Sequence, residues 1–156
     1  MLVQIEGWGA AGKGTLIGNL IKELDPRFFT VINMDTPGGQ KQRRPFLWRY
    51  MEQIPETGKF VFWDSGWVDE LAEGFLNGEI DEEALERQMR QIRTFDRQLK
   101  DNGYLVVKLF LQIPRSEQKR RQSRLSAKKD TKWRVSVKDR MQLKKRDEYE
   151  QIYDRI

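Results

Sequence analysis

Apolar residues are distributed along this chain in two ways: in short continuous runs, and at every third or fourth position. The continuous runs predict four strands, at residues 2 to 6, 29 to 34, 59 to 64 and 104 to 113. The helical spacing between the runs predicts helices at about residues 13 to 24, 44 to 53 and 81 to 101. Strands of nearly continuous apolar character separated by helices are typical of a parallel sheet covered on both faces. The sequence therefore predicts an α/β fold.

The pattern changes beyond Pro114 to a helix, a basic loop and a second helix. The first of these helices is expected to begin at Ser116. The second is expected to begin near Ser136, whose hydroxyl suits an N-cap, with Asp139 as an imperfect capping-box partner three residues later. The helix predicted at 81 to 101 carries apolar side chains on one face, which we interpret as core: Leu85, Met89, Ile92, Phe95 and Leu99.

A glycine-rich segment joins the first predicted strand to the first predicted helix. Its glycines let successive backbone N–H groups point inward at a phosphate, and the helix that follows presents the positive end of its dipole. Lys13 would reach the outer phosphates. We interpret the segment as a phosphate-binding P-loop made of Gly7, Gly9, Ala10, Ala11, Gly12, Lys13, Gly14 and Thr15. A glycine-rich turn that holds no ligand is the alternative.

Length and composition restrict the chemistry that is available. A chain of 156 residues is expected to form one domain. It contains no cysteine and no histidine, so disulfides, thiolate metal sites and histidine bases are excluded, and Asp, Glu, Lys and Arg must carry the reaction. No apolar stretch approaches the length of a membrane span and no signal peptide precedes the first strand, from which we expect a cytoplasmic protein without a membrane partner.

The net charge of +5 is unevenly distributed along the chain. Residues 115 to 146 contain fourteen Lys and Arg against three acidic residues, a net charge of +11, which leaves −6 for the rest. This basic segment suggests an extended polyanionic partner, although a solvated helical face is the simpler interpretation. Its candidate anion-binding residues are Lys119, Arg120, Arg121 and Arg124.

Asp64 is the candidate metal ligand. It closes the third predicted strand, which places its carboxylate at the carboxyl edge of the sheet beside the P-loop, where open α/β sheets bind ligands. Capping of the following segment is the alternative role for Asp64. Thr15 is either a metal or phosphate ligand or a hydroxyl that starts the helix.

Several separate motifs of this chain resemble polyphosphate kinase 2, and most closely its polyphosphate:AMP phosphotransferase branch. The similarity covers residues 6 to 15, 44 to 50 with Ile54, Pro55 and Gly58, Trp63 and Asp64 with Trp67, 110 to 113, and 117 to 121. The resemblance implies a P-loop kinase fold with a helical lid at about residues 115 to 148. It also implies Mg²⁺ and phosphate transfer between inorganic polyphosphate and a nucleoside mono- or diphosphate.

On this hypothesis Lys13 and the P-loop hold phosphates and Asp64 positions Mg²⁺. Lys119, Arg120, Arg121 and Arg124 then clamp the polyanion as the lid closes, with Arg120 and Arg121 counted as catalytic together with Lys13 and Asp64. We expect a homo-oligomer or a partner domain.

The chain departs from the family pattern at two positions. Gly9 stands where the family usually has an aspartate that helps to hold magnesium, and Ser65 stands where it has an arginine that contacts phosphate. Family members also continue into a final segment, which we expect to be absent here.

Three other functions remain open at this stage. The first is a phosphate-binding but catalytically impaired half of a two-domain phosphotransferase. The second is an ATP-dependent small-molecule or nucleotide kinase. The third, ranked last, is a nucleic-acid binder.

Overall fold

Four parallel strands form the centre of the fold. The structure is a computed structural model that describes residues 1–34 and 44–156. The strands are β1 (Leu2–Gly7), β2 (Phe29–Asn33), β3 (Phe60–Asp64) and β4 (Val106–Leu111). They are hydrogen-bonded in the order β2-β3-β1-β4, with β1 and β3 inside the sheet. The predicted α/β class is thereby confirmed.

Seven helices in the described residues surround or extend this sheet. They are α1 (Lys13–Leu20), α2 (Trp48–Met51), α3 (Trp67–Leu76), α4 (Glu82–Asp101), α5 (Arg115–Ser126), α6 (Val137–Lys144) and α7 (Arg146–Tyr153). A 3-10 turn at Ile21–Glu23 continues α1, and another at Lys132–Arg134 precedes α6. None of the helices in this part of the chain is both long and apolar enough to cross a membrane.

The largest core cluster lies between the sheet and α4. The five apolar residues predicted on one face of α4 are all buried, which confirms their assignment to the core. They pack in a cluster that also contains an aromatic group from α2, β3 and α3, in which Tyr50, Trp63 and Trp67 lie with ring centroids 5.1 to 5.6 Å apart. Aromatic side chains bury large areas, so this cluster fixes α3 and α4 against the sheet.

Several predicted elements are shorter in the structure; the α-helical part of the element predicted at 13 to 24, for example, ends at Leu20. The fourth strand covers Val106–Leu111 rather than 104 to 113, and the helix predicted at 44 to 53 is a single α-helical turn at Trp48–Met51. Prolines at positions 45 and 55 bracket that helix, and proline disfavours helical backbone in the residue before it. The sequence also predicts a chain reversal at Asp35 and residues 36 to 39, because proline and glycine are typical of turns, and these residues lie outside the described part of the chain.

Helix α3 was missed by the sequence prediction. Its signal was present, because Asp69 and Glu70 favour a helix N-terminus and Trp67 and Leu71 are buried one turn apart. The helix begins directly after Gly66, so only two residues separate it from β3.

The predicted cap of α6 is confirmed, and it is a complete capping box. The Ser136 hydroxyl accepts a hydrogen bond from the Asp139 amide at 3.0 Å, and Asp139 Oδ2 accepts one from the Ser136 amide at 2.7 Å. The orientation of the Asp139 carboxylate is therefore fixed by Ser136, through its amide and its hydroxyl.

Candidate active site

The P-loop passes from β1 into α1 with glycine at its two tightest points. Gly7 has φ +133°, and a Cβ there would lie 2.7 Å from the backbone nitrogen of Leu111. Gly12 has φ +109° at the N-cap of α1. Both conformations exclude ordinary side chains, so the glycine spacing read from the sequence follows from the backbone path.

The amino end of α1 presents backbone donors. The N-cap residue Gly12 supplies no side-chain hydrogen bond. The N–H groups at the start of a helix have no carbonyl partner inside it, so those of Lys13, Gly14 and Thr15 are available to an acceptor outside the helix. Gly14 and Thr15 are exposed, and the dipole of α1 favours an anion at this end.

Two cations lie on the carbonyl groups of the P-loop. Lys13 Nζ, at the start of α1, donates a hydrogen bond to the Gly7 carbonyl at 2.7 Å. Arg121 Nη1, from α5, donates to the Ala11 carbonyl at 2.9 Å and to that of Ala10 at 3.4 Å. A phosphate oxygen at the loop would attract both cations more strongly than these neutral carbonyls do.

The remaining predicted anion-binding residues lie on the outer surface of α5. Arg120 is exposed and forms an ion pair with Glu117, which also accepts from Arg121. Hydrogen bonds from Arg120 and Arg121 lower the pKa of Glu117 to about 2, so this carboxylate is ionised at neutral pH. Lys119 and Arg124 are exposed. The structure thus brings Arg121 to the P-loop and leaves the other three facing solvent.

Asp64 ends β3 at the carboxyl edge of the sheet. It is paired in register with Ile5, two residues before the P-loop begins, and it is half-buried. The described residues contain no group of three or more acidic, histidine or cysteine side chains that could hold a metal ion. Mg²⁺ is usually bound by one or two carboxylates together with substrate phosphates, so a single carboxylate beside a phosphate cradle fits that ion.

Ser65, the next residue, is buried with a positive φ of 68°. Its backbone N–H donates to the Ile5 carbonyl at 2.9 Å, which holds the chain close to β1 as it leaves β3.

Trp8 anchors the P-loop to the helices of the basic segment. Its ring is buried, with the Arg146 guanidinium 3.4 Å from the ring centroid and the Tyr153 ring 4.9 Å away. Its indole N–H donates to Gln112, and its backbone N–H donates to the Leu111 carbonyl at 3.3 Å. Arg146 is one of the basic residues of the segment 115 to 146, but it is buried, and the Trp8 ring and hydrogen bonds to Gln118 and to the Ile113 carbonyl stabilise its charge.

Gln142, in α6, connects the P-loop to the other C-terminal helices. Its side-chain oxygen accepts from the Gly9 amide at 2.6 Å and from Gln118 Nε2 at 3.2 Å. Gln118 in turn accepts from Arg146 Nη1 at 2.6 Å. All three side chains are buried, so a network of hydrogen bonds runs from the loop backbone through α6 and α5 to α7.

The other end of Gln142 reaches a buried acidic pair. Its amide donates to the Tyr153 hydroxyl at 2.7 Å, and that hydroxyl donates to Asp69. The second acid, Glu6, lies near the end of β1. One of its oxygens bonds to Gln4 and to the Val68 amide, and the other has no hydrogen-bond partner among the described residues. Burial raises the pKa of Glu6 to about 8, and the negative charge of Asp69 adds to that effect.

A family comparison matches residues 1–156, the whole chain, to polyphosphate kinase 2. The chain belongs to this family. It is 33% identical over 118 residues to a polyphosphate:AMP phosphotransferase of Pseudomonas syringae pv. tomato, covering 76% of this chain and 24% of that protein. It is 32% identical over 144 residues to NDP-polyphosphate phosphotransferase 3 of Ruegeria pomeroyi, covering 92% of this chain and 48% of that protein.

The fold agrees with the family. The crystal structure of polyphosphate kinase 2 from Arthrobacter aurescens TC1 superposes with a TM-score of 0.89 at 26% identity, over 97% of this chain and 54% of that one. The chain therefore spans about half, or less, of the relatives it matches. The family resemblance and the P-loop kinase-like fold predicted from the motifs are confirmed.

The sequence did not reveal the buried polar residues around the P-loop. Gln118 and Gln142 are uncharged side chains within strongly basic helices, and that contrast was the available signal. The sequence indicates only a capping-box role for Asp139. Asp69 was overlooked together with α3, the helix that carries it.

Replacing Gln142 with leucine tests the network. The Gly9 N–H and the Gln118 amide would lose their acceptor in a buried place, so we expect the free energy of unfolding to fall by about 1–3 kcal/mol for each group left unpaired. Urea unfolding measures this loss. The matched control is Gln91→Leu on the exposed surface of α4, which is expected to change stability by less than about 0.5 kcal/mol. Equal effects of the two variants would contradict a bridging role for Gln142.

Replacing Glu6 with glutamine tests the buried acid. Between the ordinary carboxyl pKa of 4.5 and about 8, the folded protein retains a proton that the unfolded chain has lost. The stability due to this group is therefore complete below 4.5 and falls as the pH rises to about 8. Because glutamine does not ionise, we expect Glu6→Gln to gain stability over the wild type between about pH 5 and pH 9 in urea unfolding. A pH-independent difference, or the same trend in the exposed control Glu23→Gln, would show that Glu6 is not the titrating group.

Proposed function

We propose that this chain is a polyphosphate-dependent nucleotide phosphotransferase domain, which moves a phosphoryl group between inorganic polyphosphate and a nucleoside mono- or diphosphate. The observation that carries the proposal is the convergence of Lys13, from α1, and Arg121, from α5, on one P-loop. The names of the relatives support polyphosphate as donor or acceptor, and they include AMP, GDP and other nucleotides as its counterpart.

In the proposed reaction the terminal P–O–P bond of polyphosphate breaks, and a bond forms from that phosphorus to a terminal phosphate oxygen of the nucleotide. The shortened polyphosphate leaves with the bridging oxygen and its electron pair. Lys13 and the N–H groups at the start of α1 would hold the transferred group. Arg121 would leave its carbonyl partners to neutralise the charge that develops on the leaving chain.

Mg²⁺ fits the carboxylate chemistry at this sheet edge, and Asp64 would help to hold it. When bound, the ion neutralises charge on the phosphate oxygens. Phosphoryl transfer needs little covalent chemistry from the protein, so a chain without histidine or cysteine is adequate for this reaction.

The exposed cations of α5 would hold the rest of the polyphosphate chain. A string of phosphates attracts cations in the way that a nucleic-acid backbone does, with counterion release favouring binding. Lys119, Arg120 and Arg124 face solvent and are able to meet it. We propose that residues of about 115 to 148 act as a lid on a single domain of residues 1–156, which works in the cytoplasm as a homo-oligomer or with a partner domain.

A second candidate function is a phosphate-binding half with impaired catalysis. It is favoured by Gly9, which brings no carboxylate to the loop, and by Ser65, which is buried and carries no charge. The two candidates share the phosphate site and differ in turnover.

Replacing Lys13 with alanine separates them. We expect phosphate transfer from polyphosphate to ADP or AMP, with Mg²⁺ present, to fall at least about 100-fold, because a cation at the transferred group is lost. Luminescent detection of ATP, or chromatography of ADP, measures the rate. The control is Lys22→Ala, since Lys22 is an exposed lysine that bonds only to Asn19 among the described side-chain contacts. Wild-type transfer no faster than that of Lys13→Ala would leave the impaired half as the function.

The donor distinguishes this proposal from an ATP-dependent kinase. We expect the same assay to give product from polyphosphate and AMP without ATP. Transfer from ATP to a nucleotide in the presence of Mg²⁺, with no transfer from polyphosphate, would identify the alternative instead.

Replacing Arg124 with alanine tests the polyanion surface. We expect weaker binding of polyphosphate and a salt dependence whose logarithmic slope is smaller by up to about one, because one phosphate contact is lost. Fluorescence titration at several salt concentrations measures both quantities. The control is Arg93→Ala, which removes an exposed arginine of α4 outside the basic segment. Matching changes in the two variants would mean that only net charge matters.

A further inference from the structure

The carboxylate of Asp139 lies directly on the P-loop at Gly9. A Cβ on Gly9 would overlap Asp139 Oδ1, and it would lie 2.9 Å from Asp139 Cγ and 3.0 Å from Asp139 Cβ. Gly9 is not among the residues with positive φ, so its backbone would accept a side chain. Glycine is needed at this position because α6 fills the space, and the group that fills it is an acid.

One oxygen of this carboxylate is committed and the other faces the loop. Oδ2 accepts the hydrogen bonds from the Ser136 amide at 2.7 Å and from the Ser136 hydroxyl at 2.8 Å. Oδ1 is the atom that meets the Gly9 site. An N-cap function uses Oδ2 alone, so it does not explain why Oδ1 is held against a phosphate-binding loop.

Two further contacts fix this arrangement, in addition to the capping box. Gln122 Nε2 donates to the Asp139 backbone carbonyl at 3.0 Å, and the Gly9 amide donates to Gln142 on the same helix at 2.6 Å. The capping box sets the side-chain orientation. A ligand group held by its surroundings in this way binds without paying the entropy of ordering.

We propose that Asp139 is a metal-binding residue, with Oδ1 as a ligand of the divalent cation that accompanies phosphate at the P-loop. The carboxylate reaches the loop from α6, across the contact with Gly9, instead of from the loop itself. Asp139 would then supply a carboxylate in addition to that of Asp64, and Mg²⁺ usually takes one or two carboxylates from a protein at a phosphate site. The inference rests on the proposed function only in requiring a phosphate and a metal at this loop.

The test measures metal binding in Asp139→Asn and Ser136→Ala. Asparagine keeps an oxygen for the Ser136 amide and loses the charge, whereas Ser136→Ala weakens the cap and leaves the carboxylate in place. Mn²⁺ is the probe, added with inorganic phosphate and followed by water-proton relaxation. We expect the dissociation constant for Mn²⁺ to rise at least about tenfold in Asp139→Asn and less than about twofold in Ser136→Ala.

An exchange of positions provides a second readout. Gly9→Asp alone is expected to lose stability, because its side chain meets Asp139. Gly9→Asp combined with Asp139→Ala removes that overlap and returns a carboxylate to the same place, so we expect Mn²⁺ binding to return to within about threefold of the wild type. Urea unfolding and circular dichroism report whether each variant is folded.

Three results would overturn the inference: no Mn²⁺ binding by the wild type, equal shifts in Asp139→Asn and Ser136→Ala, or a folded double variant that does not bind Mn²⁺. Phosphate transfer, assayed in parallel, keeps the two proposals apart. Wild-type transfer with unchanged Mn²⁺ affinity in Asp139→Asn rejects the inference alone. Asp139-dependent Mn²⁺ binding without any transfer rejects the proposed function and supports the inference.

Discussion

The hydrogen bond from the Gly9 amide to Gln142 is the contact on which the arrangement of this domain depends. It joins the backbone of the P-loop to a residue of α6 that is 133 positions away in sequence. Gln142 also reaches Gln118 and Tyr153, so one side chain determines how α5, α6 and α7 lie on the sheet. Each such bond contributes only about 0.5–1.5 kcal/mol, but breaking one in a buried place leaves a polar group without water. The network therefore specifies one geometry more than it adds stability.

The C-terminal helices carry two polar faces with different tasks. On the inward face of α5, Gln118 bonds to Gln142 and Arg146, and Gln122 bonds to the Asp139 carbonyl. Neutral side chains that are hydrogen-bonded avoid the large cost of burying an unpaired charge. On the outward face, arginine and lysine remain hydrated. Arg121 lies between the two faces, with Nε on Glu117 and Nη1 on the loop. The outward-facing cations therefore lie near the P-loop and remain hydrated.

The sequence predicted those features that depend on local backbone and on periodicity. The P-loop followed from glycines whose positive φ and close contacts admit no side chain, and the strands followed from apolar runs that a two-sided sheet requires. The buried face of α4 was predicted from the helical spacing of its apolar residues. The family followed from several motifs taken together.

Long-range contacts could not be predicted in this way. Nothing in the residues around Gln142 indicates that its partner is Gly9, because the pairing arises only once α6 packs on the sheet. Glu6 likewise looks like an ordinary strand-end carboxylate. Its raised pKa comes from burial and from Asp69, which lies on α3, a helix that the apolar pattern did not predict.

The contact between Gly9 and Asp139 also restricts which substitutions this domain can accept during evolution. A side chain appearing at Gly9 meets the carboxylate, and the loss of that carboxylate opens a space over the loop. We therefore expect the two positions to covary, so that a substitution at one is tolerated mainly after a change at the other. The surroundings of this loop depend on residues at two distant places in the chain. A comparison restricted to residues 7 to 15 therefore omits the residue that lies against Gly9.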